Sequence, residues 1–325
     1  MIMATYNGEK WIGEQLRSIA RQTRLPDDLI VTDDGSIDRT VELVQQFSDS
    51  APFPVHLIKG PRQGHAENFW AATKSCTSDL VSWSDQDDVW HPEKLEVSEA
   101  TLVATNAAMV SHSATVTDET LTPLNRRFPD YRSTVVLDHL RGNPWQVFSG
   151  FTILARREVL ESIDWEHRPL SHQSGVPMGP DHALSLVAFA SAKRALISEP
   201  LALYRQHSRN LAGAPRALSL RDSMKIGLGE YRADANYARH YLEFLTRCGF
   251  SSPEITKYYE ALITRCDRRA AIYEPRGFPP RLRSFCAAVL GGVYGSPEKG
   301  RFRPAALAKD LTDVITNSAR RNVAT

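Results

Sequence analysis

Three carboxylates fall within four residues at Asp85, Asp87 and Asp88, directly after the apolar run Leu80-Val81-Ser82-Trp83-Ser84 and before Val89-Trp90-His91-Pro92. An apolar run of that length reads as a short buried strand, and the proline that follows can open a helix. The segment is therefore strand, acidic turn, helix. Carboxylates this close repel one another and resist joint ionisation, so the turn is comfortable at neutral pH only when open to water or facing a cation. Mg²⁺ and Mn²⁺ favour oxygen ligands, and Mg²⁺ usually takes one or two carboxylates and completes its shell with water and substrate phosphates. Asp85-x-Asp87 fits that habit. A solvated acidic turn complementing the positive end of the next helix explains the same residues, for a gain of about 0.3–1 kcal/mol.

The elements that must position this turn can be read from the start of the chain. Ile2-Met3-Ala4-Thr5 is apolar and meets the polar turn Tyr6-Asn7-Gly8 at once, and Ile12, Leu16 and Ile19 then recur at helical spacing before Pro26. Leu29-Ile30-Val31 reads as a second strand ending in Asp33-Asp34-Gly35-Ser36, with Ser36 placed to cap a helix that carries Ile37, Val41, Val44 and Phe47. A third strand, Val55 to Lys59, leads through the polar loop 60–64 to a helix from Asn68 to Cys76, and the fourth strand runs into Asp85. This alternation predicts an α/β fold, a mostly parallel sheet with helices on both faces. Such sheets bind ligands beyond the carboxyl ends of their strands, so Tyr6-Asn7, Asp33-Asp34 and Asp85-Gln86-Asp87 are expected in one crevice. No Gly-x-Gly-x-x-Gly or Gly-Lys-Ser/Thr loop follows the first strand, which argues against a dinucleotide fold or a P-loop ATPase.

Composition narrows the field. The 325 residues are 42% hydrophobic, enough for a large core, and 39 Lys plus Arg against 38 Asp plus Glu leave a net charge of +1, so no global field recruits nucleic acid. Cys76, Cys248, Cys266 and Cys286 lie far apart without Cys-x-x-Cys spacing, against a zinc site or a disulfide framework and in favour of a cytoplasmic setting. No signal segment opens the chain, and no run reaches the 18 apolar residues that a spanning helix requires.

Met3-Ala4-Thr5-Tyr6-Asn7-Gly8, Thr32-Asp33-Asp34-Gly35-Ser36-Ile37-Asp38 and Ser84-Asp85-Gln86-Asp87-Asp88-Val89-Trp90 resemble, in order and spacing, the successive signatures of family 2 glycosyltransferases. The closest likeness is to the bacterial branch often labelled rhamnosyltransferases, and it covers roughly residues 1 to 212. Members carry a few more apolar residues before the Ala-Thr-Tyr-Asn segment, so the first strand here is short for the family and something upstream is expected. The resemblance implies a GT-A type fold that binds a nucleotide diphosphate sugar, with Ala4 and Tyr6 at the nucleotide and Tyr6 packing against the base. It implies that Asp33, beside Asp34, accepts a hydrogen bond from the base, which suits deoxythymidine or uridine. Asp85 would lie toward the ribose and sugar, and Asp87 on Mg²⁺ or Mn²⁺. Asn68 falls where the family places a nucleotide-side asparagine, and a buried capping amide fits it as well. Asp88 either touches the ligand or serves the helix start.

The segment from Asp118 to Asn143 has no clear period and reads as a long surface loop. Phe148-Ser149-Gly150-Phe151-Thr152 resembles the family's acceptor-side segment, or is a glycine bend entering a strand. Pro180-Asp181 opens a helix, where Asp181 reads as an N-cap on its own and, by resemblance, as the aspartate of the family's His-Asp pair ahead of a helix, although Pro180 stands where a histidine is usual. Tyr204-Arg205-Gln206-His207 matches a family segment that implies phosphate neutralisation by Arg205 and a metal or diphosphate contact by His207. From residue 213 onward helical stripes prevail, predicting a catalytic domain at 1–212 and a helical extension at 213–325. Within it, residues 284–294 are apolar and flanked by Arg276, Arg281, Arg283, Lys299, Arg301 and Arg303, which suits either a peripheral membrane contact or a helix packed on its neighbours.

The expectation is an inverting, metal-dependent glycosyltransferase with Asp181 as general base and Glu199 as the next candidate. Its partners would be a nucleotide diphosphate sugar and a glycan or lipid-linked acceptor, at the inner face of the membrane in the second case. An Asp-nucleophile phosphatase using Asp85 and an inactive nucleotide-sugar-binding protein are the alternatives.

Overall fold

The computed structural model describes residues 1–172, 174–208, 210, 228–274, 278–295 and 304–321, with the backbone alone at 228–230, 305 and 316–321. Two units divide the chain, Met1–Trp165 with Met178–Pro215, and Glu166–Pro177 with Arg216–Thr325. The expected boundary at 212/213 lies outside the described residues. The return of Glu166–Pro177 to the second unit has no signal in the sequence.

The first unit is built on one sheet. In chain order its elements are β1 (Ile2–Thr5), α1 (Ile12–Ala20), β2 (Leu29–Asp33), α2 (Thr40–Ser48), β3 (Val55–Lys59), α3 (His65–Thr73), β4 (Leu80–Ser84), β5 (Val89–Trp90), α4 (Lys94–Thr105) and β6 (Met109–Thr117). There follow β7 (Pro123–Arg127), β8 (Val135–Leu137), β9 (Ile153–Arg156), α5 (Arg157–Glu161), α6 (Pro180–Ser191) and β10 (Arg194–Arg205). The strand order is β3-β2-β1-β4-β9-β6-β10-β5, with β7 on β6 and β8 on β10. Strands β1 to β4 run parallel, as their alternation with helices predicts, and β9 enters antiparallel between β4 and β6. The register Ala4↔Thr32 and Thr5↔Asp33 brings the polar ends of β1 and β2 level. Ile12, Leu16 and Ile19 of α1 are fully buried in the core, each worth about 1.5–3 kcal/mol.

Two differences from the sequence reading concern short strands. The expected loop at 118–143 contains β7 and β8, whose mostly exposed residues have no buried face to impose an apolar period. The acidic turn is followed by the two-residue strand β5, paired antiparallel with β10 at Trp90↔Ala202 and Val89↔Leu203, before α4 begins. That pairing brings the end of β10 beside the acidic turn.

The second unit contains α7 (Leu228–Arg247), α8 (Pro253–Tyr273), α9 (Phe278–Leu290) and α10 (Pro304–Arg321). Helices α7 and α8 pack together as a hairpin. The start of α8 is capped by Ser252, whose hydroxyl accepts from the Ile255 amide (3.3 Å). Phe285 and Ala288 of α9 pack with Val293 and Tyr294 against Ile272 and Val314, while Leu290 is 89% exposed. The apolar stretch at 284–294 is thus divided between a packing face, Phe285, Ala288, Val293 and Tyr294, and an exposed face that carries Val289 and Leu290, and Arg281 is itself buried. Arg276, Lys299, Arg301 and Arg303 of its basic rim lie outside the described residues. No helix among the described residues is long and apolar enough to cross a membrane.

Candidate active site

The carboxyl ends of β1, β2 and β4 meet, as the topology requires. Tyr6 is 57% exposed just beyond β1, and the side chain of Gln86, the middle residue of Asp85-x-Asp87, pairs with its backbone. The Tyr6 amide donates to Gln86 Oε1 (3.0 Å) and Gln86 Nε2 donates to the Tyr6 carbonyl (3.0 Å). A Cβ at Gly8 would strike that Gln86 amide, so Gly8 is fixed by close approach. Ala4 is buried in β1 and offers a ligand no exposed side chain.

Asp33 organises the turn after β2. Its Oδ1 accepts from the Thr5 (3.0 Å) and Ser36 (2.5 Å) hydroxyls, and its Oδ2 from the Gly35 (3.1 Å) and Ser36 (2.8 Å) amides. Ser36 therefore braces Asp33 rather than capping the next helix, and Gly35 takes the φ of +97° that this turn demands. Asp34 accepts from the Arg62 (2.6 Å) and Gly64 (2.8 Å) amides and so fixes the loop that opens α3.

Several residues read as ligand contacts face inward. Asn68 is 1% exposed; its Oδ1 accepts from the Thr32 hydroxyl (2.7 Å) and its Nδ2 donates to the Thr32 carbonyl (3.0 Å), joining α3 to β2. The buried amide, not the nucleotide contact, is what the geometry contains. Arg205 is 3% exposed, and its guanidinium is committed to the Asp87 carbonyl (2.7 Å), the Glu119 carbonyl (2.6 Å) and the Glu14 carboxylate. It is a strut, not a group aimed at phosphate. Asp88 is fully buried and accepts from the Arg205 amide (3.0 Å), and burial, then the charges of Asp87 and Asp85, push its pKa well up.

Asp85, Asp87, His207, His65 and Asp181 lie close to one another beyond these strand ends. His207 Nε2 lies 2.8 Å from Asp87 Oδ2, and the His207 side chain is only 2% exposed. Burial and the like charge of Asp85 raise the Asp87 pKa, with His207 opposing. Among the described residues no three His, Cys, Asp or Glu side chains converge as a metal cage. A carboxylate and an imidazole in contact, with a second acid two residues away, do fit an ion that takes its other ligands from phosphate and water.

Asp181 sits at the second position of α6, with Gly179 as N-cap and Pro180 first. It is not itself the cap, and its Oδ1 accepts from the His182 amide (2.8 Å). Gly150 lies against it, since a Cβ there would be 3.7 Å from Asp181 Cβ, so the Phe148–Thr152 segment and Asp181 share one corner. Burial raises the Asp181 pKa, with His65 opposing.

The sequence does not single out His65. Its side chain is 47% exposed and its Nε2 is 3.5 Å from Asp85 Oδ1; partial desolvation disfavours its charge, but the Asp85 hydrogen bond and the fields of Asp85, Asp181 and Asp87 outweigh this and raise its pKa. One imidazole thus senses the acids of β4 and of α6, about a hundred residues apart in sequence. A lone histidine after a glycine carries no periodic signal by which it could have been found.

The model of glycosyl transferase family 2 matches residues 1–164, half of the chain. The chain belongs to that family. It is 28% identical over 225 residues to the dTDP-rhamnosyl transferase RfbG of Shigella flexneri, covering 65% of this chain and 74% of that one. An uncharacterized glycosyltransferase of Nostoc sp. is 24% identical, covering 80% of this chain and 82% of that one. The S. aureus TarS 1-349 structure in complex with UDP-GlcNAc superposes with a TM-score of 0.54 at 19% identity, over 99% of this chain and 91% of that one. At that identity the likeness speaks for the fold, which is GT-A. This family 2 enzyme is a glycosyltransferase of the bacterial rhamnosyltransferase-like kind. The phosphatase reading of Asp85 is overturned by the family assignment.

Proposed function

We propose that the chain is an inverting, metal-dependent glycosyltransferase that moves a sugar from a nucleotide diphosphate to a hydroxyl of a cell-surface polysaccharide or lipid-linked acceptor. The observation that supports it is the placing of Asp85, Asp87 and Asp181 around the imidazole of His65. In this reading Tyr6 and the Asp33 turn hold the base, and Asp85 orients the ribose and sugar. Asp87 and His207 would hold Mg²⁺ or Mn²⁺, which when bound supplies positive charge to the departing diphosphate. Asp181 takes the proton of the acceptor hydroxyl as its oxygen bonds to the anomeric carbon and the bond from that carbon to the diphosphate oxygen breaks. One displacement inverts the anomeric centre. The kinship with a dTDP-rhamnosyl transferase makes a dTDP-deoxyhexose the first donor to try, with UDP-hexoses next. A lipid-linked acceptor would place the enzyme at the cytoplasmic face of the membrane, where the exposed Val289 and Leu290 of α9 are available for peripheral contact.

The test is thermal protection by a panel of nucleotide sugars with and without Mn²⁺, followed by NMR of the product's anomeric configuration. The expected results are metal-dependent protection by one donor, loss of that protection in Asp87→Ala, and an inverted product. Protection indifferent to metal and to Asp87→Ala, or a retained configuration, would overturn the reading. Donor binding without transfer to any acceptor would point instead to an inactive binding protein.

A further inference from the structure

Trp11 is 5% exposed and lies in the turn that joins β1 to α1. Its indole stacks on the imidazole of His207, with ring centroids 3.8 Å apart and planes 14° from parallel. The backbone beneath it is fixed, because the Trp11 amide donates to the Gly8 carbonyl (3.1 Å) and its carbonyl accepts from the Glu14 amide (2.9 Å). Lys10 covers the indole at 5.1 Å and pairs with Glu119, whose carbonyl holds Arg205. The β1–α1 turn and the first turn of α1 thus reach the end of β10 by two routes, the Trp11 ring on His207 and the Glu14 carboxylate on Arg205. The β1–α1 turn also reaches the acidic turn through the Tyr6 backbone and Gln86.

We propose that Trp11 is a positioning residue for the Asp87–His207 pair, holding the imidazole plane so that Nε2 faces Asp87 and can serve a divalent cation there. A hydrogen bond at one imidazole nitrogen fixes the position of that nitrogen, whereas a surface lying against the ring face fixes the ring plane. A flat indole in contact across the whole ring fixes that plane. Groups that orient a metal-binding histidine without touching the metal commonly contribute about 10- to 100-fold in affinity. A stack made by the nucleotide-side turn also makes the metal pair depend on the loop that carries Tyr6. The proposal rests on the metal reading given above.

The experiment compares Mn²⁺ affinity, by calorimetry in the presence of whichever of dTDP, UDP or GDP most raises the wild-type melting temperature, for Trp11→Leu, Trp11→Phe and His207→Ala. Trp11→Leu keeps an apolar group but no flat face, and roughly 10- to 100-fold weaker Mn²⁺ binding is expected. Trp11→Phe retains a smaller stack and should fall between Trp11→Leu and wild type, and it serves alone if the leucine variant does not fold. The His207 ring-proton NMR resonances of the metal-free protein, shifted upfield by the indole ring current, should move downfield in Trp11→Leu. A purely structural tryptophan would lower the melting temperature and leave Mn²⁺ affinity unchanged in both variants, which overturns the proposal. Unchanged affinity in His207→Ala would overturn the metal reading itself, whatever the Trp11 variants do.

Discussion

At Asp181 two demands conflict. Burial raises its pKa, so the folded protein holds this proton more tightly than the unfolded chain does. For an acid shifted in that direction, folding is penalised above the folded pKa, the penalty shrinks as pH falls, and it is gone below the ordinary value where both states are protonated. Asp181→Asn is therefore expected to raise the melting temperature at neutral pH, with the advantage lost toward acid. The amide can still accept from His182, so the helix start is retained. Transfer should fall by about 10²–10⁴-fold, the usual share of a general base, with donor affinity kept. Melting curves at several pH values with a transfer assay check both parts. Near wild-type transfer would pass the role to another acid, and Glu199, in the bulged part of β10, would be tried next.

Between elements, α3 is tied to the carboxyl end of β2. Asn68 ties it to β2, and Asp34 fixes the loop before it. Asn68→Ala leaves the Thr32 hydroxyl buried without its acceptor, at a cost of about 1–3 kcal/mol. Urea unfolding should show a lower midpoint with an unchanged slope, and nucleotide affinity should fall as well because Tyr6 and the Asp33 turn ride on the strands that Asn68 joins. A stability near wild type would mean that water replaces the amide. Lys94 shows a different balance. It is 1% exposed with its ammonium 3.1 Å above the Trp90 ring, and burial drives its pKa well down against the pull of Asp88.

On the scale of the whole molecule, each unit has its own core, and the helical one centres on a charge. Asp310 is fully buried and accepts from Arg269 Nε (2.9 Å) and Nη2 (3.0 Å) and from the Tyr273 (2.7 Å) and Tyr294 (2.8 Å) hydroxyls. Removing one partner of a buried ion pair costs about 3–5 kcal/mol. All six tryptophans, from Trp11 to Trp165, belong to the sheet unit, so their fluorescence reports that unit while far-UV circular dichroism is weighted toward the helices. In Asp310→Ala the dichroism midpoint in urea should move below the fluorescence midpoint. Two curves that stay superimposed at the wild-type midpoint would show that Asp310 contributes little.

The sequence by itself determined the parallel β1 to β4 core, the helices between its strands, the helical character of the C-terminal part and the family. These follow from short-range causes: apolar period, turn residues, and signatures whose members lie within a few positions of one another. It also placed Tyr6, Asp33, Asp85 and Asp87 at one edge, because strand ends in a parallel sheet share an edge by geometry. Only the tertiary structure decided which polar residues are spent on contacts within the protein. Asn68, Arg205 and Asp88 sit in recognisable motifs, yet their partners Thr32, Glu14, Glu119 and the Arg205 amide are up to 191 residues away in sequence. The same distance hides His65 between Asp85 and Asp181, and Trp11 on His207. A side chain's motif fixes its type and its element, but its direction is set by whatever the opposing element presents, and no local spacing encodes that.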